Sequence, residues 1–222
     1  MFVERILDYI CILLALFIVL PLHEFAHAFV AVKSGDQTPR LYGRYTLNPL
    51  AHFDIFGLIM FVLAHFGWAK PVPVNPDNFR HRTLDSFLVS SAGVIVNYIT
   101  SFLIFPLYVL VYTYVPEFGY FTYVLRTTLH YAFMYGLFFC VFNLLPIYPL
   151  DGFRVIDCFI KRRGKFYYNY KRYGIFVLYA FLLLSIIADY ANVPQLDILG
   201  NLLSFVVNYI QIPIIEFWGL IF

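Results

Sequence analysis

The sequence predicts an all-α polytopic membrane protein, with about five full transmembrane helices, one short or re-entrant apolar segment and a small extended, β-like region. Hydrophobic residues make up 62% of the 222 residues and charged residues 13%, against about 25% charged in a soluble domain. The apolar residues gather into long uninterrupted runs, and the basic residues gather between those runs. A net charge of +2 is uninformative as a total. Basic side chains confined to loops beside apolar spans give no surface for nucleic acid.

The first span runs from about Ile6 to Val32, long enough to cross a bilayer with tilt. Glu4, Arg5 and Asp8 leave no positive leader region, and no small-residue cleavage site follows, so a removable signal peptide is not expected here. Pro21 is expected to kink the helix. A polar stretch from Gln37 to Phe53 follows. Asp54 to Trp68 is apolar but short, and Gly57, His65 and Gly67 interrupt it. Pro71-Val72-Pro73-Val74-Asn75-Pro76 must be extended, because each residue before a proline is pushed out of the α region. Leu84 to Val115 is a second long span and Phe121 to Leu145 a third, with a brief turn around Glu117 and Gly119 between them. Pro146, Pro149 and Gly152 then break the helix. A basic stretch, Arg154 to Arg172, contains an aromatic-basic run that resembles an interfacial belt. Two further spans are expected at about Tyr173–Ala188 and Leu196–Ile221. The whole, 1–222, reads as one domain, with a core at about 6–154 and accessory helices at about 173–221.

The charges orient this array. Lys33, Arg40, Arg44, Lys70, Arg80 and Arg82 lie between the first and second long spans. Arg154, Lys161, Arg162, Arg163, Lys165, Lys171 and Arg172 follow the third. If 54–68 dips in and returns, both groups share a face and only Arg5 and Arg126 of the fifteen Lys and Arg lie opposite. The positive-inside rule makes that face cytoplasmic. A full crossing would separate the two groups, so the re-entrant reading is preferred.

Chemistry is concentrated in His23-Glu24-Phe25-Ala26-His27, an HExxH pattern inside the first span. Histidines four apart share one helix face, so both imidazoles can reach a single zinc ion, and the intervening glutamate can take a proton from a metal-activated water. Ionisable groups at membrane depth are costly, which points to a functional site. A catalytic zinc takes three protein ligands and keeps one position open. Asp151 is the best third ligand, because it follows the helix break on the same side of the bilayer as His23; His52 and Asp54 are its rivals.

HEFAHAF on a membrane helix, followed far downstream by NLLPIYPLDG, resembles the site-2 protease family of intramembrane zinc metalloproteases. The segments TLNPLAHFD and GWAKPVPVN are similar to its compact prokaryotic branch without a PDZ domain. That resemblance implies one Zn2+ per chain held by His23, His27 and Asp151, with Glu24 as general base and Asn143 polarising the scissile carbonyl or stabilising the oxyanion. It places Asn97 close to the cleft, as a substrate-binding candidate. Phe153, where the family often has a second glycine, and Val94, where it often has proline, are departures that touch backbone shape and no functional group.

The function expected is endopeptidase cleavage in or near a transmembrane segment of a membrane-protein substrate, in a prokaryotic plasma membrane, with the active site towards the cytoplasm. A helical substrate must unwind first, and an extended edge at Pro71–Asn75, with Pro73, Val74 and Asn75 as its contact residues, could hold it by β-addition. A catalytically inactive family member serving as a membrane scaffold would have no need of an intact HExxH and Asp151. An ion transporter would show repeat symmetry between halves, and none is visible. Another class of zinc peptidase would supply a glutamate on a downstream helix, for which Glu117 and Glu216 have no setting. His65, His81 and His130 read as interfacial residues, and the three cysteines as neither a disulfide framework nor a metal site.

Overall fold

A computed structural model describes residues 2–64 and 67–222; His65 lies outside the described residues. Helix α1 (Phe2–Lys33) runs through Pro21 without a break. At 32 residues it is about 48 Å long, ample for a hydrocarbon core of about 30 Å even when tilted. Short helices α2 (Thr38–Leu41) and α3 (Pro49–His52) lead to α4 (Ile55–Ala64). Helices α5 (Arg82–Tyr114) and α6 (Tyr120–Leu144) are the next long spans. The short α7 (Asp151–Asp157), about two turns long, precedes α8 (Lys165–Ala191), α9 (Ile198–Ile210) and α10 (Ile212–Gly219). Counting α9 and α10 as one stretch, five helical segments among the described residues are long and apolar enough to cross a membrane. The protein is a multi-pass membrane protein.

α1, α5 and α6 pack on one another and form the centre of the molecule. Ala15 and Val19 of α1 meet Ile104 of α5 and Ala132, Phe133, Leu137 and Val141 of α6, and α9 closes the cluster with Leu199, Leu203 and Val207. Between α5 and α6, Ser101 Oγ donates to the Phe133 carbonyl at 3.0 Å, where the missing side chain of Gly136 lets the helices approach.

The segment after α3 returns on itself. Phe53 and Ala69 form an antiparallel bridge, and the Lys70 N–H donates to the His52 carbonyl at 2.7 Å. A chain whose two ends are paired comes back to the level it left. The ten residues of α4 span about 15 Å, half a hydrocarbon core. The described ends of this segment, at Phe53 and Ala69, lie side by side, as a re-entrant segment requires. The extended region beside them is a single bridge followed by an irregular strap, 70–75, with no strand ladder among the described residues.

Two spans differ from expectation. α8 starts at Lys165 instead of about Tyr173, so the aromatic-basic run forms its first two turns; Lys and Arg stems lie along an apolar helix while their heads reach water. The last span is divided at Gln211, because Pro213 has no N–H to give the Tyr209 carbonyl and its ring crowds that carbonyl.

Candidate metal centre and active-site cleft

His23 and His27 lie one turn apart on the buried face of α1, each 5% exposed. Their Nε2 atoms are 3.1 Å apart. Asp151 Oδ2 lies 3.3 Å from His23 Nε2 and 3.1 Å from His27 Nε2. Ligand atoms bonded to zinc in a tetrahedron stand about 3.3 Å from one another, so these three atoms fit three corners of one and leave the fourth open. Asp151 Oδ2 is buried and accepts no hydrogen bond, an orphaned anionic oxygen that a cation would satisfy. Among the described residues this is the group of His, Cys, Asp and Glu whose donor atoms all lie within 4.8 Å of one another.

Asp151 reaches the histidines because α6 stops at Leu144. Pro146 and Pro149 keep 145–150 out of a helix, and α7 restarts with Asp151 as its first residue. Gly152 is required by that restart: a Cβ there would stand 2.2 Å from the Leu144 carbonyl oxygen. The two rivals are engaged elsewhere. His52 is fully buried with Nε2 2.8 Å from the Thr46 carbonyl, and Asp54 Oδ1 caps α4 by accepting from the Gly57 N–H.

α5 supplies the wall behind the imidazoles. His27 Nδ1 lies 2.7 Å from the Val89 carbonyl, which can only accept, so the ring carries a hydrogen on Nδ1 and, when neutral, turns its Nε2 lone pair to the cluster. Asn97 Nδ2 lies 3.0 Å from His23 Nδ1. Asn97 is fully buried, so it touches the imidazole and not the open cleft where a substrate contact was expected. Between Val89 and Asn97, Gly93 faces the two rings. A Cβ on it would be 2.5 Å from His23 Cε1 and from His27 Nε2. Sequence reasoning gave Gly93 no role, and only the helix pairing reveals one.

In front of the cluster lies a cleft of about 1460 Å³ with Glu24 and Asn143 on its lining. The Glu24 carboxylate accepts from the Val72 N–H at 3.0 Å, so the strap is tied directly to the residue between the histidines. Of the expected substrate edge, Pro71, Val72 and Val74 line the cleft, whereas Pro73 and Asn75 do not; Trp68, outside that edge, also lines it. Asn143 Nδ2 donates to the Phe139 carbonyl one turn back in α6 at 3.0 Å.

A second tie holds the strap. Asp36, fully buried just after α1, accepts from the Asn75 N–H at 2.7 Å, from Asn78 Nδ2 at 2.8 Å and from the Thr38 N–H and hydroxyl. Burial pushes its carboxyl pKa up, but these donors outweigh that and hold it below the usual value.

This arrangement has counterparts among known proteins. A family model described as "Peptidase family M50" matches residues 121–185, the stretch containing α6, the proline break, Asp151 and the start of α8. A Bacillus subtilis (strain 168) protein named "Putative zinc metalloprotease YwhC" is 38% identical over 189 residues, covering 84% of this chain and 85% of that protein. No solved structure matches. With likeness extending over most of both chains, and the matched family segment carrying the distal aspartate, this chain belongs to peptidase family M50, the site-2 proteases.

Proposed function

We propose that the protein is an intramembrane zinc metalloendopeptidase that hydrolyses peptide bonds in or near transmembrane segments of membrane-protein substrates. The observation that carries this reading is the triangle of His23, His27 and Asp151 donor atoms, with sides of 3.1–3.3 Å, facing an open cleft within a bundle of membrane-spanning helices. These three residues hold the zinc. When bound, it polarises the scissile carbonyl and lowers the pKa of water towards about 7.

The chain's own groups do the remaining work. Glu24 takes the proton of the attacking water and delivers it to the leaving amine. The Val72 N–H holds one carboxylate oxygen of Glu24, which orients the other for that transfer. Asn143 lines the cleft and offers an amide to the oxyanion by turning from the Phe139 carbonyl. The unwound substrate lies beside the strap at Val74, the residue of the expected Pro73, Val74 and Asn75 contacts that lines the cleft. The paired ends of 54–68 support a re-entrant segment, on which reading both basic groups share one face, cytoplasmic by the positive-inside rule, of what is taken to be a prokaryotic plasma membrane.

The test is Glu24→Gln in purified protein, assayed against single-span substrates with metal content measured in parallel. The expected result is full zinc occupancy and turnover reduced at least about 1000-fold. Turnover near wild type would remove Glu24 from the mechanism. His23→Ala should lose metal and activity together, and a zinc-replete His23→Ala would place the metal elsewhere.

A further inference from the structure

The two histidines are held in unlike ways. His27 has its Nδ1 fixed by a main-chain carbonyl, Val89 O, which no side-chain substitution removes. His23 has its Nδ1 fixed by a side chain, Asn97, brought from 74 residues away by the packing of α5 on α1. Asn97 is fully buried, and its Oδ1 is a buried oxygen with no hydrogen-bond partner. A neutral imidazole that gives its Nε2 lone pair to a cation carries its hydrogen on Nδ1 and needs an acceptor there. The Asn97 amide carries an acceptor and a donor on one planar group, and a half-turn exchanges them at the position 3.0 Å from His23 Nδ1. Its unpartnered oxygen is the acceptor that a metal-binding His23 requires. Gly93, one turn earlier on α5, leaves no side chain to press on the ring from that helix, so the amide is what sets the ring's rotation.

We infer that Asn97 is a positioning residue for the metal centre: its side-chain carbonyl fixes the Nδ1–H tautomer of His23 and thereby sets the zinc affinity of the site. The inference rests on the reading of His23 as a zinc ligand given above. It also explains why a polar side chain occupies a fully buried position in a membrane-spanning helix, where such a group needs a partner inside the protein.

The experiment is zinc affinity by chelator competition on the full chain in detergent, for wild type, N97A, N97D and H23A, with thermal unfolding in excess chelator as a second measurement. Loss of such an orienting partner costs about 10- to 100-fold in metal affinity, and N97A is expected in that range. N97D restores an acceptor and is expected within about 3-fold of wild type. A merely structural hydrogen bond predicts the opposite pattern: lower stability of metal-free N97A with unchanged zinc affinity, and that result overturns the inference. If N97A does not fold, nitrogen-15 NMR of the wild-type histidines decides: zinc-loaded His23 should show a protonated Nδ1, and an unprotonated Nδ1 refutes the proposal. H23A separates the two levels. Undiminished zinc binding in H23A refutes the metal reading itself, whereas loss in H23A with none in N97A refutes only the role of Asn97.

Discussion

The bundle of α1, α5 and α6 and the C-terminal pair made by α8 with α9–α10 are equally apolar in sequence but differ in what they bury. In the first three spans 33%, 33% and 39% of the most apolar window is inside the protein, and in the last two only 17% and 22%. Every fully or nearly buried polar side chain among the described residues lies before α8: His23, His27, Ser90, Asn97, Thr100, Ser101, Thr122 and Asp151 within or beside the bundle, and Ser34, Asp36, His52 and Asp85 in and around its loops. Lipid offers no hydrogen bonds, so polar chemistry at depth is possible only where other helices enclose it. The bundle is built to enclose, and the C-terminal pair mainly to face lipid and wall the cleft with Leu178 and Tyr179.

The sharpest way to break that comparison is Gly93→Ala. In an ordinary helix interior the change stabilises by about 1 kcal/mol. Here the new Cβ would sit 2.5 Å from both imidazole rings, which are packed against α5 and would be displaced. Displacing reacting groups by about 1 Å costs on the order of 100-fold in rate, so activity should fall at least that far and zinc content with it. Ile99→Ala, on the outward face of the same helix, should leave both unchanged. An active, more stable Gly93→Ala enzyme would show that α5 leaves room for a side chain beside the histidines.

That glycine also marks the limit of sequence reading. The HExxH pair is legible because a helix places i and i+4 on one face whatever surrounds them. Asp151 is legible because the proline break and the charge asymmetry put it on the side of His23. The paired ends of the 54–68 segment are expected from the charges, since a full crossing would put the two basic groups on opposite faces. What the sequence hides are contacts made by helix pairing over long separations: Asn97 on His23, Val89 O on His27, and Gly93 against both. The tie from Val72 to Glu24 is hidden for another reason, since a main-chain N–H has no side-chain signature. The extra turns of α8 were obscured because basic residues resemble a loop until their stems are seen along the helix.

A smaller effect is expected at the strap, where the bundle meets water. Asp36→Ala removes an acceptor shared by Asn75, Asn78 and Thr38, and should cost about 2 kcal/mol locally. That corresponds to roughly 30-fold faster hydrogen exchange at the Val72 and Asn75 amides. Because the folded carboxyl is held below its ordinary value, its stabilisation is complete above the unfolded pKa of about 3.9 and is lost as pH falls through the lower folded value. Protection should thus be flat from about pH 7 to 5, decline below about pH 4, and lose that dependence in Asp36→Asn. Protection in Asp36→Ala equal to wild type would mean that the Glu24 tie alone holds the strap.

The smallest effect is predicted on the lipid-facing side of α9, and it separates two readings of the C-terminal pair. Leu203 is 8% exposed and belongs to the central cluster, while Phe205, two residues on, is 60% exposed and touches Tyr209 of its own helix. Hydrocarbon tails are as apolar as a phenyl ring, so an outward aromatic gains little by leaving lipid, and what holds helices together at depth is close packing. Leu203→Ala should leave a cavity and cost about 2–4 kcal/mol of stability in detergent or lipid. Phe205→Ala should cost under about 0.5 kcal/mol and leave proteolysis within about 2-fold. If Phe205→Ala instead matched Leu203→Ala, or if its cost grew with protein concentration, that face would be packing against another chain rather than lipid. The weakly enclosed pair would then be an assembly surface, and the contrast with the catalytic bundle would lie in what encloses each and not in how completely.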